Sequence, residues 1–129
     1  MIKQEVQFGN FEKDTPPPRG WWVGRFADNP NFKTEQTEFQ WVSLVPDKEK
    51  SEAAYNEISS TITMIVKGKI TVRFPHQKEK DQELKNRGEY VYFAPGVCHS
   101  WKVGSKGAIV ITLRWPSVEN DQVRCTHSD

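Results

Sequence analysis

The sequence predicts an all-β fold, built as an antiparallel β-barrel or jelly-roll sandwich. Short runs rich in β-branched and aromatic residues recur along the chain, and turn residues such as glycine and proline separate them. Helical patterns are almost absent, and closely spaced short strands are typical of antiparallel sandwiches and barrels. A chain of 129 residues fits one domain, so we expect residues 1–129 to form a single unit.

Composition excludes several kinds of partner. The net charge is +1 with 27% charged residues, which predicts no basic surface for nucleic acid or an anionic membrane. No apolar run is long enough to span a bilayer, and the N-terminus lacks the apolar core of a secretory signal. Two cysteines, Cys98 and Cys125, are too few for a disulfide scaffold. We therefore expect a cytoplasmic protein with no membrane or nucleic-acid partner.

The sequence of the first half predicts an extended N-terminal segment, or lead-in, followed by four strands. The prolines 16–18 make residues 1–20 a stiff, extended approach to the first strand. Two β-branched segments meet at Gly68, which indicates a hairpin turn there. The predicted strands are Trp21–Phe26, Phe39–Leu44, Thr61–Lys67 and Lys69–Phe74.

The second half predicts three more strands between polar connections. Residues 77–87 are mostly charged and indicate a solvated loop, and residues 104–107 separate the last two strands. Residues 117–129 have little to bury and form a loose or sheet-edge tail, which leaves a barrel core over residues 38–116. The strands are Tyr90–Phe93, His99–Val103 and Ala108–Trp115.

One motif resembles a known family. Gly88 opens a strand, Ala94 and Pro95 lead into a tight turn, and Gly96 is followed three residues later by His99. This spacing resembles the second sequence motif of the cupin superfamily. The resemblance implies a small β-barrel with His99 at its mouth, where cupins usually hold a metal.

The first cupin motif is represented only by its glycine, Gly68. Counting back from it, the position of the cupin glutamate is Thr61. The paired histidines become Tyr55 and Glu57, or Ala54 and Asn56 with the longer spacing between histidines and glutamate. The ligand set implied by the resemblance is thus reduced to His99 and Glu57.

We favour a pocket without a metal. A transition metal needs three or four converging donors, and Cys98 points away from the face of its neighbour His99. His76 and His127 lie at a strand end and in the tail. If a divalent metal is bound (Fe, Mn, Ni or Zn), we expect His99 and Glu57 to hold it.

Strand alternation predicts the lining of the pocket. Trp101 and Val103 follow His99 inward, and the shorter motif spacing turns an upstream set inward too. Hydroxyls, one carboxylate and aromatic rings suit a neutral polar metabolite such as a sugar. The upstream set is Tyr55, Glu57, Ser59, Thr61 and Thr63.

Other prominent residues have structural interpretations. Trp21 and Trp22 must face opposite sides of their strand, so one covers the outside of the barrel and favours a homodimer interface. Arg114 faces outward if its apolar neighbours face inward, and it could bind a ligand carboxylate only with the opposite orientation. Cys98 is expected to be a small packing residue.

Three functions remain open. The first is a small-molecule-binding protein with its site at His99, Tyr55, Glu57, Thr61 and Trp101. The second is an enzyme, either a metal-dependent oxygenase or a metal-free sugar isomerase or epimerase with His99 as base and Tyr55 as acid. The third is an interaction module with a vestigial pocket.

Overall fold

The computed structural model describes residues 5–126 and confirms the all-β prediction. These residues form one antiparallel sheet of eight strands and two single-turn 3₁₀ helices, Pro18–Gly20 and Lys78–Lys80. Among them, no helix has the length and apolar character needed to cross a bilayer. The strands are β1 (Trp21–Val23), β2 (Glu38–Leu44), β3 (Glu49–Asn56), β4 (Ser60–Arg73), β5 (Gln82–Leu84), β6 (Tyr90–Phe93), β7 (His99–Trp115) and β8 (Gln122–Arg124).

The sheet curls because its two long central strands, β4 and β7, pair with different strands at their two ends. The end of β7 pairs with β2 and with the start of β4, which also pairs with β6. The start of β7 pairs with β3 and with the end of β4, which also pairs with β5. The two halves therefore have the orders β1-β2-β7-β4-β6 and β8-β3-β7-β4-β5, and together they enclose a barrel interior.

The predicted hairpin at Gly68 is wrong, because β4 runs through this position as one bent strand. Its register against β7 shifts on both sides of Gly68, and Gly68 and Gly107 both have φ +82°. A Cβ at Gly68 would overlap the carbonyl oxygen of Gly107. The predicted break at residues 104–107 is wrong for the same reason: β7 is continuous, and the two strands bend together where their backbones touch.

The barrel interior changes from polar to apolar along β4. Thr61 and Thr63 are buried near its start, whereas Ile65, Ile70 and Val72 are buried further on. The apolar part is completed by a strand from the predicted solvated loop, since β5 buries Leu84 to 2% exposure. The prediction of a solvated loop over residues 77–87 is therefore wrong for the segment that forms β5. Apolar side chains thus fill one part of the barrel, and polar ones line the rest.

The N-terminal segment packs on the outside of the barrel. Phe11 lies in a turn, and its ring centroid is 4.8 Å from that of Trp22 and 5.3 Å from that of Phe39. Trp41 completes this outer aromatic cluster, while Trp21 lies against Arg114. The two adjacent tryptophans therefore do take opposite sides, but the outer one is covered by the chain's own lead-in.

The C-terminal segment is tied to the barrel in two ways. β8 pairs with the edge of β3, and Cys125 forms a disulfide with Cys98, just before β7. The prediction that Cys98 is simply a small packing residue is therefore wrong. The sequence could not show the pair because the two cysteines are 27 positions apart and come together only through the pairing of β8 with β3.

Candidate functional site

The polar part of the barrel interior is an open cavity. Together with the groove that continues beneath residues 7–19, it encloses 1360 Å³. β3, β4 and the start of β7 supply one side of its lining, and β2 and the end of β7 supply the other. Among the residues that line it are Gln40, Asn56, Thr61, His99, Trp101 and Arg114.

His99, the first residue of β7, is 5% exposed and is held in one orientation. Its Nδ1 lies 3.0 Å from the carbonyl oxygen of Val97, and its ring centroid lies 4.2 Å from that of Phe93. A carbonyl oxygen can only accept, so Nδ1 carries the proton in the neutral ring. This leaves Nε2 as an acceptor for the hydroxyl or amide of a ligand.

Burial lowers the pKa of His99 to about 4. The positive charges of Lys50 and Arg114 act in the same direction, and the hydrogen bond with Val97 acts against them. The imidazole is therefore neutral at pH 7. A group with so low a pKa is a weak general base.

Several buried polar groups line the same cavity as this histidine. The hydroxyls of Thr63 and Thr112 lie 3.3 Å apart across the β4–β7 pair. Thr61 Oγ1 and Asn56 Oδ1 are buried and have no hydrogen-bond partner within residues 5–126. An unpaired buried polar atom costs about 1–3 kcal/mol, and a hydrogen bond from water or a ligand would offset this cost.

The structure turns Ala54 and Asn56 inward, not Tyr55 and Glu57. Ala54 is the β3 partner of His99, and Asn56 is 4% exposed and lines the cavity. Glu57 is exposed, and neither it nor Tyr55 belongs to the lining. The shorter motif spacing is therefore wrong, and the longer alternative describes the fold. Of the predicted site residues, His99, Thr61 and Trp101 line the same cavity, whereas Tyr55 and Glu57 do not.

Asp121 explains why strand alternation failed at this point. Its carboxylate accepts hydrogen bonds from the backbone N–H groups of Ile58 (2.8 Å) and Ser59 (3.0 Å), which fixes the turn between β3 and β4. Burial favours the neutral acid, but the hydrogen bonds from Ser59, Ile58 and Asn56 outweigh it and lower the pKa of Asp121. The turn interrupts the alternation of inward and outward side chains. The inward positions of β3 therefore cannot be found by counting back in steps of two from Thr61.

Arg114 faces the cavity, contrary to the prediction. Its guanidinium lies 3.6 Å from a carboxylate oxygen of Glu38 and 4.6 Å from the ring centroid of Trp21. Glu38 is 7% exposed and also accepts a hydrogen bond from Ser117. The inward set of β7 is thus Val110, Thr112 and Arg114, because the N-terminal segment gives the outer face a second place to bury large apolar side chains.

Lys50 is a cavity residue that the sequence analysis missed. It lies on β3 opposite Trp101 and donates a hydrogen bond to Gln122 Oε1 at 3.0 Å. Burial lowers its pKa, as do the positive charges of Arg114 and Arg19, while Glu52 acts against them. No alternation in the sequence could have placed Lys50, because β3 is irregular between Lys50 and Ala54 and leaves Glu52 exposed.

The residues at the cupin metal positions do not fit a metal. Ala54 carries a methyl group and Asn56 an amide where the family has histidines, and Thr61 stands in place of the glutamate. Within residues 5–126, no three side chains of the His, Cys, Asp or Glu type form a group able to hold a metal ion. His76 is exposed beyond β4, and His127 lies outside the described residues.

Comparisons with known proteins find relatives by structure alone. No protein-family model and no curated protein sequence matches the chain. A conserved Klebsiella pneumoniae protein with a double-stranded β-helix domain superposes with a TM-score of 0.65 at 14% identity, covering 95% of this chain and 99% of that one. The polyketide cyclase RemF from Streptomyces resistomycificus gives 0.62 at 13% identity, with 78% and 68% covered.

A sugar phosphate isomerase of the cupin superfamily from Silicibacter pomeroyi gives a TM-score of 0.53 at 15% identity. The match covers 64% of this chain and 52% of the isomerase, about half its length. These likenesses and the curled antiparallel sheet confirm the resemblance seen in the sequence. The chain has the fold of the cupin superfamily.

Proposed function

We propose that the cavity binds a small polar metabolite, and that His99, Thr61 and Trp101 contact it without the help of a metal. The observation that carries this proposal is that two of the buried, unpartnered polar atoms, Thr61 Oγ1 and Asn56 Oδ1, belong to residues that line the same cavity as the neutral His99. A ligand that donates to Nε2 of His99 and exchanges hydrogen bonds with these atoms removes their desolvation cost. The indole of Trp101 supplies an apolar face for the rest of the molecule.

The test is a thermal-shift screen of sugars and other hydroxylated metabolites, with a chelator present throughout. A true ligand at a hundred times its Kd should add about 2.7 kcal/mol of stability. Thr61→Val removes the hydroxyl at nearly constant shape and should weaken binding by about 1–2 kcal/mol. Thr71→Val is the matched control, because Thr71 lies on the same strand outside the cavity lining.

Three results would count against this function. One is a screen in which nothing stabilises the protein. Another is a ligand whose affinity falls equally in both threonine variants. The third is binding that returns only when metal is restored, which would favour a metalloprotein.

Catalysis by the proposed acid–base pair has less support. The enzymes among the structural neighbours share the fold, and one fold hosts many activities. Tyr55 is not part of the cavity lining, and the low pKa of His99 makes it a poor base. Binding is therefore the function that the geometry supports best.

Homodimer formation stays a prediction, but the surface proposed for the dimer interface is no longer the one at Trp21 and Trp22. Trp21 and Trp22 pack within the chain, whereas Tyr92 and Trp115 stack at 6.3 Å and are 48% and 40% exposed. If a dimer forms through this face, Trp115→Ala should lower the mass measured by light scattering and Trp21→Ala should not.

The cytoplasmic location also stays a prediction, although the disulfide removes the support that free cysteines gave it.

A further inference from the structure

We propose that Lys50 forms an anion-binding subsite in this cavity, so that the ligand is a hydroxylated metabolite carrying a carboxylate or a phosphate group. The inference rests on the proposed function and narrows its substrate class. It replaces the neutral ligand expected from the sequence, because the structure brings charged side chains into the cavity that strand patterns had placed elsewhere.

Lys50 is the first part of the argument. It lies on the cavity side of β3, opposite Trp101, and is only partly exposed. Its Nζ donates to the neutral amide oxygen of Gln122 at 3.0 Å. No carboxylate within residues 5–126 forms an ion pair with it. A partly buried ammonium without a counter-ion gains most from an anion that arrives from outside.

The buried acids near the cavity already have partners. Glu38 pairs with Arg114 and accepts a hydrogen bond from Ser117, and Asp121 accepts the amides of the turn after β3. Acidic residues on the cavity rim, such as Asp28 and Glu119, are exposed and screened by water. Of the two cations that the barrel strands contribute to the lining, Lys50 and Arg114, Lys50 is therefore the one without a carboxylate partner; Arg19 and Arg25 also line the cavity but lie outside these strands.

The charges inside the barrel also favour the binding of an anion. The charges that act on His99 are those of Lys50 and Arg114, and both oppose its protonation. The pKa of Lys50 is lowered by burial and by the positive charges of Arg114 and Arg19, and the negative charge of Glu52 opposes this shift only in part. A carboxylate or phosphate bound at Lys50 would lower this repulsion, while the hydroxyls of the same ligand reach toward Thr61 and His99.

The test compares matched sugars at constant ionic strength: glucose, glucuronate and glucose 6-phosphate. We expect one or both anionic sugars to bind at least 10-fold more tightly than glucose in calorimetric titrations, and the better of the two identifies the carboxylate or the phosphate as the preferred group. Lys50→Met, which keeps most of the aliphatic stem, should remove this preference. Lys48→Met is the control, because Lys48 is exposed and lies outside the cavity lining.

The outcomes separate the two proposals. Equal affinities for all three sugars, or no binding of either anionic sugar, would overturn the Lys50 subsite. An anion preference that survives in Lys50→Met would overturn it too, since the anion then binds elsewhere. The proposed function fails separately, if no ligand in the wider screen distinguishes Thr61→Val from Thr71→Val.

Discussion

His99 is buried so deeply that protonation of its ring opposes folding. Its ordinary pKa of 6.5 applies to the unfolded chain, and burial lowers the pKa to about 4 in the folded protein. Between these two pH values the unfolded chain binds more protons, so stability should fall as the pH drops from about 6.5 to 4. The difference corresponds to about 3 kcal/mol.

Urea unfolding at pH 7 and at pH 4 measures this loss. His99→Gln should show about 3 kcal/mol less dependence on pH than the wild type. His76→Gln is the control, since His76 is an exposed histidine outside the lining of this cavity. Identical profiles for the wild type and His99→Gln would show that His99 titrates normally in the folded state.

Individual residues also show the limits of the sequence analysis. His99, Thr61 and Trp101 were predicted because the motif and the alternation of a single strand sufficed to place them. Tyr55 and Glu57 were misplaced because Asp121, more than sixty residues away, fixes the turn that resets the alternation. Lys50 was missed because its strand has a charged sequence, and its inward orientation depends on pairing with β7.

At the scale of the strand, Gly68 has a role that can be tested. Gly68→Ala would force a left-handed backbone on a residue with a side chain and push its Cβ against the carbonyl of Gly107. We expect a loss of about 3 kcal/mol or more from strain and overlap together. Urea unfolding measures this loss.

Gly88→Ala is the matched control for this prediction. Gly88 also has a positive φ, +94°, but a Cβ there meets nothing within 4 Å. The strain alone should cost about 1 kcal/mol. Equal losses in the two variants would mean that the contact between the bent strands at Gly68 contributes nothing.

The strands differ in how well the sequence predicts them. β2, β6 and both arms of β4 and β7 were recognised from short runs rich in β-branched and aromatic residues, because their side chains are buried on at least one face. β3, β5 and β8 were missed, since they are short or charged and gain their strand form from pairing with β7, β4 and β3. A glycine between two β-branched runs fits a hairpin or a bulge equally well, and only the distant partner strand decides which forms.

For the whole molecule, the disulfide is the one covalent link between distant parts of the described chain. Cys98 and Cys125 are separated by 27 residues, so closing this loop should stabilise the protein by about 3–4 kcal/mol. Treatment with a reductant should lower the Tm of the wild type accordingly. A Cys98→Ser/Cys125→Ser double variant should start at the lower Tm and show no response to reductant. An unchanged wild-type Tm would mean that β8 docks without help from the bond.

The long central strands also determine how the barrel can open. β4 and β7 each pass through both halves of the sheet, so neither half can separate without breaking hydrogen bonds that the other half shares. Their amide protons should exchange with deuterium together, at the slow rate set by global unfolding. The three-residue strands β1, β5 and β8 each pair with a single neighbour and should exchange sooner. If the cavity binds a ligand as proposed, that ligand should enter and leave through the open end of the barrel, because β4 and β7 do not separate in the folded protein.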